Sequence, residues 1–191
     1  MALTLKTLQS QIDELREIVE RLQKEKTEPS KIKIKEGEFE LCGYKWKVIN
    51  EDDGKVFCIC ESIGDMKFDS KTNNWSESDL RKYLNKEFKK KIIDEIGEEK
   101  IVEFERRLWS VDGSVDYGTC KDYVSLLTSD EYRKYNNEIG TNGDYWWLCN
   151  ANSKYVAVVC PSGCIYGFIS NIVNGVRPVC IFLSSIFESE E

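Results

Sequence analysis

The chain of 191 residues is long enough for one globular domain with an appendage, and its 34 acidic against 27 basic residues leave a net charge of −7. That balance argues against nucleic acid or an anionic membrane as partner. The absence of histidine removes the commonest general base and weakens any cysteine-nucleophile or serine-triad chemistry.

Leu5, Leu8, Ile12, Leu15, Val19 and Leu22 recur three and four apart, the a/d pattern of a coiled coil over about three heptads. The spacing predicts an oligomerisation helix over residues 1–26, with an amphipathic helix folded on its own domain as the alternative. Charged residues around Pro29 predict a linker over 27–37, and the head domain is expected over 38–191. The β-branched a positions with leucine at d favour two strands on their own.

From Phe39 the period changes to two. Phe39, Leu41, Tyr44, Trp46 and Val48 form one alternating stretch, Asp52–Gly54 a turn, and Val56–Cys60 a second strand. Ser76 with Asp79 reads as a capping box opening a helix along Leu80, Tyr83, Leu84 and Phe88, which Gly97 closes, with a break near Phe88 to Lys91 equally allowed. Residues 101–119 read as a surface excursion anchored by Trp109, and 123–127 as a short strand. Thr128 with Glu131 opens a second helix through Tyr135. A polar loop then delivers Trp146 and Trp147, adjacent on a strand and therefore pointing to opposite faces, one expected buried and the other partly exposed. The whole predicts an α+β head of short antiparallel strands plus two helices.

Between Cys149 and Val176 the only charge is Lys154, although about a third of the whole chain is charged. Asparagine, serine and tyrosine stand there between β-branched runs. Such residues suit a contact surface, giving adaptable hydrogen bonds and rigid aromatic area, and they equally suit the turns of a buried hairpin. The exposed candidates for ligand binding are Asn150, Asn152, Ser153, Tyr155, Tyr166, Phe168, Ser170, Asn171 and Asn174. Trp146, Trp147 and Arg177 are assigned to the framework. The eight cysteines are irregularly spaced and read as buried free thiols, with no metal site and no cofactor expected.

The hairpin GYKWKVI…KVFCICESI, the motif WSESDLRKYLNKEF, the segment YVSLLTSDEYRKY, the pair YWWLC and the terminal GVRPVCIFL together resemble a domain of phage and prophage proteins from low-GC Gram-positive bacteria. That domain is similar to the C-type-lectin-like fold. The resemblance covers roughly residues 38–184 and departs at Cys149, where family members usually carry arginine. It implies a non-enzymatic, virion-associated fibre or receptor-binding protein, made in the bacterial host cytoplasm without a signal peptide. Its partners would be copies of itself (a trimer over a dimer), other virion proteins through the N-terminal region, and a host cell-surface protein or glycan; neither nucleic acid nor membrane insertion is implied. Some relatives of the fold are targets of retroelements that randomise adenines, and an AAC-type codon so treated yields residues such as Asn, Tyr, Ser, Cys and Ile but never Lys. Residues 149–174 break that restriction only at Lys154. A structural decoration without specific receptor is the alternative. More distant is a formylglycine-generating-type oxidase using Cys160 and Cys164.

Overall fold

The structure, a computed structural model, describes residues 5–24 and 31–188. The chain divides into two compact units, residues 1–31 and 32–191. The first contains helix α1 (Leu5–Lys24). Leu8, Ile12 and Leu15 on it are 46%, 44% and 61% exposed. Leu5, Val19 and Leu22 belong to the same helix, but their side chains lie outside the described set. So do residues 1–4 and 25–30, which include the ends of the expected helical segment and the start of the expected linker.

The second unit is α+β with mostly antiparallel sheets, and it begins at Ile32, six residues before the expected boundary. Ile32 N–H donates to Ile186 O at 2.7 Å, and Glu188 N–H to Ile32 O at 3.0 Å. The segment Lys31–Lys35 alternates lysine with isoleucine, so Ile32 and Ile34 pack on the core while the lysines face out. The stretch predicted as one strand from Phe39 to Val48 is two: β1 (Glu38–Leu41) and β2 (Tyr44–Asp52). Cys42 and Gly43 take φ of 56° and 73° between them, the mirror-image two-residue turn that suits the right-handed twist of paired strands. Asp53 and Gly54 repeat the device at 46° and 68° before β3 (Lys55–Cys60).

After β4 (Asp65–Lys67), the cap of the next helix is Ser78, whose hydroxyl accepts from Arg81 N–H at 3.2 Å. Ser76 sits instead in a 3-10 turn capped by Asn74. Helix α2 (Asp79–Tyr83) leads through a π-helical turn (Leu84–Phe88) into α3 (Lys89–Ile96). The buried residues Leu80, Leu84, Phe88, Ile92 and Ile96 are spaced four apart throughout. Four such steps on an ideal α-helix drift by about 160°, and the wider π turn takes up part of that drift, keeping all five on one face. Trp75 Nε1, Arg81 Nε and Asn85 Nδ2 converge on the buried Asp122 at 2.7, 2.6 and 3.3 Å, so the WSESDLRKYLN motif is a clamp on that carboxylate.

Next come β5 (Ile101–Val102), the hairpin β6 (Phe104–Arg107) and β7 (Thr119–Asp122), then β8 (Val124–Ser125). Trp109 is no anchor, being 46% exposed; the buried residues of this excursion are Ile101, Arg106, Leu108 and Ser110. Helix α4 (Ser129–Ile139) opens with the full capping box of Thr128 and Glu131 and runs four residues past Tyr135. The chain finishes with β9 (Trp146–Asn152), β10 (Tyr155–Val159), β11 (Ile165–Phe168), β12 (Val173–Gly175) and β13 (Val179–Leu183). One sheet is ordered β1-β2-β3-β13-β5, with β8 also on β13. The other is ordered β11-β10-β9-β12-β4, its β12–β9 contact parallel and the rest antiparallel.

Both faces of the second sheet are covered. Trp147, Val156 and Val158 belong to one apolar cluster with Phe68 and Trp75; Trp146, Leu148, Ala157 and Val159 belong to another with Tyr132 of α4. Trp146 and Trp147 are therefore both 0% exposed, against the expectation that one would emerge. Tyr132 meets Trp146 edge-on at 5.5 Å and Phe68 meets Trp147 at 5.7 Å, so each indole has its own aromatic lid.

Candidate functional site

Because residues opposite each other in a sheet share a face, the registers of β9, β10 and β11 sort the predicted ligand residues into two groups. Tyr166 and Phe168 pair with Val158 and Val156 and lie on the Trp147 face. Tyr155 pairs with Asn152 and alternates onto the Trp146 face. A Cβ on Gly167 would stand 3.0 Å from Tyr155 Cβ and 3.1 Å from Asn152 Nδ2, so both side chains lean over that glycine.

The β9–β10 tip is Ser153 and Lys154, with Ser153 at φ 55° and both side chains exposed. Asn73 pins it from outside, Nδ2 donating to Ser153 O at 2.9 Å and to Tyr155 O at 3.2 Å. Tyr166 on the edge strand β11 is 55% exposed, Ile169 in the connection to β12 is 51% exposed with Asn171 near it in sequence, Val173 at the start of β12 is 57% exposed, and Tyr145 just before β9 is 40% exposed. Phe168 joins them, its ring 5.1 Å from that of Tyr145. Ser170 is half-buried and its carbonyl accepts from Phe68 and Asp69 N–H, both at 3.1 Å.

Asn150 and Asn174 leave the exposed set, being 2% and 7% exposed. Asn150 Oδ1 accepts from Ser129 N–H at 2.6 Å, and its Nδ2 donates to Trp109 O at 2.7 Å, so its polarity ties α4 and the β6–β7 loop to β9. Sequence reasoning missed Tyr145, Ile169 and Val173 as surface residues. A β-branched residue in a short apolar run carries no mark that separates the solvent face from the core.

Of the framework residues, Arg177 donates Nε–H to Cys60 O at 3.4 Å and lies over the Trp146 ring at 5.0 Å. Cys149 is buried beside Arg106, whose Nη2 lies 3.8 Å from its sulfur; burial pushes the Cys149 thiol up to about 12. Burial likewise raises Cys58, Cys60 and Cys180. Cys160 differs. Its sulfur is 2.9 Å from Ser162 Oγ, which also reaches Cys164 Sγ at 3.8 Å, and the hydrogen bond with Ser162 holds the Cys160 thiol below its ordinary 9.0.

All eight cysteines are free and only Cys164 is exposed. Native alkylation at neutral pH is therefore expected to modify Cys164 first, and to leave the buried Cys58, Cys60, Cys149 and Cys180 untouched until denaturant is added. Peptide mass mapping checks this, and early labelling of Cys180 would contradict the burial. Among the described residues no helix is long and apolar enough to cross a membrane, and no group of three or more Cys, Asp or Glu stands close enough to hold a metal ion. No family model, curated protein or solved structure matches the chain.

Proposed function

We propose that the chain is a virion-associated fibre or receptor-binding protein. In this reading a coiled-coil stalk multimerises a non-enzymatic, C-type-lectin-like head that engages a host cell-surface protein or glycan. The observation that carries it is the set of exposed aromatic and aliphatic side chains Tyr145, Tyr166, Ile169 and Val173 that the second sheet and its β11–β12 connection present to solvent. Large apolar side chains held rigidly in water, on a chain this rich in charge, mark an interaction surface. Helix α1 supports the other half. Most helical stability in water comes from packing of an apolar face, and the exposed Leu8, Ile12 and Leu15 of α1 gain that cover from copies of themselves. A trimer is favoured over a dimer on the resemblance, with other virion proteins held through the N-terminal region.

In this reading retroelement diversification falls on the partly or fully exposed positions Asn152, Ser153, Tyr155, Tyr166, Phe168, Ser170 and Asn171. Randomising Cys149, Asn150 or Asn174 would strike buried groups instead. The test is the double variant Tyr166→Ala and Asn171→Ala, both exposed. It is expected to reduce saturable host-cell binding about tenfold or more while leaving the melting temperature unchanged. Unchanged binding would remove this set from the receptor contact, and a wild-type protein with no saturable cell binding would leave the decoration role.

A further inference from the structure

The head contains two deeply buried arginines, and only one is paired. Arg106 meets Glu131. Arg177 is 5% exposed, forms no ion pair among the described residues, and its Nη1 has no hydrogen-bond partner. The indole Nε1 of Trp146, the ring beneath it, is likewise buried without an acceptor. An enclosed cation with no carboxylate in direct contact is costly, and burial accordingly lowers the pKa of Arg177 from its ordinary value, although Glu61 on the same wall partly opposes this.

The same arginine lines a cavity of about 190 Å³ between the β1–β2 hairpin, the end of β3 and the loop after α4. Its wall carries Lys45, Lys47 and Arg177 against Glu38 and Glu61, three positive groups to two negative, an excess of one positive charge. Thr141 and Asn142 complete its polar lining, and Ile59 and Ile139 its apolar part. The volume is below the roughly 300 Å³ at which drug-sized pockets begin, so it suits one small ring or acid group.

We propose that this cavity binds the carboxylate of an acidic sugar, with Arg177 as the anchor. Guanidinium matches a carboxylate in planar geometry, and a ligand anion supplies the directly bonded partner that Arg177 Nη1 lacks. A sugar is favoured over a peptide acid because several hydroxyl donors stand close together on one small ring and can reach Glu38, Glu61 and Asn142 at once, whereas a peptide offers a single backbone N–H per residue. The pocket and the Tyr166 set share no residue, so either can fail without the other.

The test titrates the full-length protein with sodium glucuronate, with glucose, and with N-acetyl-glutamate methylamide, following the Arg177 Nε–H and Trp146 indole N–H signals by nitrogen–proton NMR. Glucuronate is expected to move both signals, saturating in the millimolar range, and glucose to move neither. Lys45→Ala with Lys47→Ala, both on the hairpin surface, should weaken glucuronate binding by up to about tenfold. Arg177→Gln should abolish it. If that variant does not fold, the wild-type titration and the lysine pair still decide. Signals that stay still with glucuronate, or that move as much with glucose or with the peptide acid, overturn the assignment.

Discussion

Replacing Glu131 with Ala is expected to lower the stability of the head by about 3–5 kcal/mol, the loss found when one partner of a buried ion pair is removed. Arg106 is 1% exposed and its guanidinium is held by both carboxylate oxygens of Glu131 and by Leu126 O. Without that carboxylate the cation has no counter-charge, and its Nε already lacks a partner. Glu131 also accepts from Thr128 N–H at 2.8 Å, so the same substitution opens the cap of α4. Burial alone would raise the carboxyl, but Arg106 beside it holds its pKa below the ordinary 4.5. A group depressed in the folded state contributes stability that is present above its unfolded pKa and is lost as pH falls through the folded value. The wild type should therefore lose stability on acidification below 4.5, and Glu131→Ala should lose less over that interval. Urea denaturation at neutral pH and again below that value measures both effects. A loss under about 1 kcal/mol at neutral pH would show that the pair is replaceable by water.

Converting Leu8, Ile12 and Leu15 together to Glu is expected to dissociate the protein into monomers while the head keeps its melting temperature. Like charges placed three and four residues apart along the seam would face their counterparts in the neighbouring copy. Host-cell binding should then fall by about 10²–10⁴, because the second and third contacts of a multimer benefit from a high effective concentration that a monomer lacks. Sedimentation equilibrium reads the mass and a cell-binding curve the avidity. An unchanged mass would mean that the leucines have another cover.

Local chemistry was the legible part of the head. The Asp53–Gly54 turn, the Thr128–Glu131 box and the Gly97 stop each need specific residues at specific places, and each stands where its residues predict. Errors came where two equivalent signals competed. Ser76 and Ser78 are both good caps, and the hydrogen bonds of Asn74 and Asp69 to the backbone N–H groups of Ser76 and Asp79 decide between them. The alternation from Phe39 to Val48 skips a residue at Cys42–Gly43, which was the visible trace of the extra turn. Lys31–Lys35 was masked by its charge, although its isoleucines alternate like a strand.

The candidate surface was legible in composition and not in orientation. Asn150 and Asn152 are two residues apart and chemically identical, yet Asn150 is sealed beneath the start of α4 while Asn152 reaches the rim. Only the position of α4 across the sheet, a long-range matter, distinguishes them. The same helix closes over Trp146 through Tyr132, while Phe68 and Trp75 cover Trp147 on the opposite face, so neither indole of the pair emerges.

Strand β13 lies between β3 and the short strands β5 and β8, pairing Val179 with Ile59 and Cys180 with Cys58. A growing polypeptide halted before Val179 would thus leave an open slot in the middle of its larger sheet, with the β3 edge bare to any passing strand. Protection by a chaperone, or rapid completion of translation, then becomes a condition for avoiding tangles between half-made copies on one polysome.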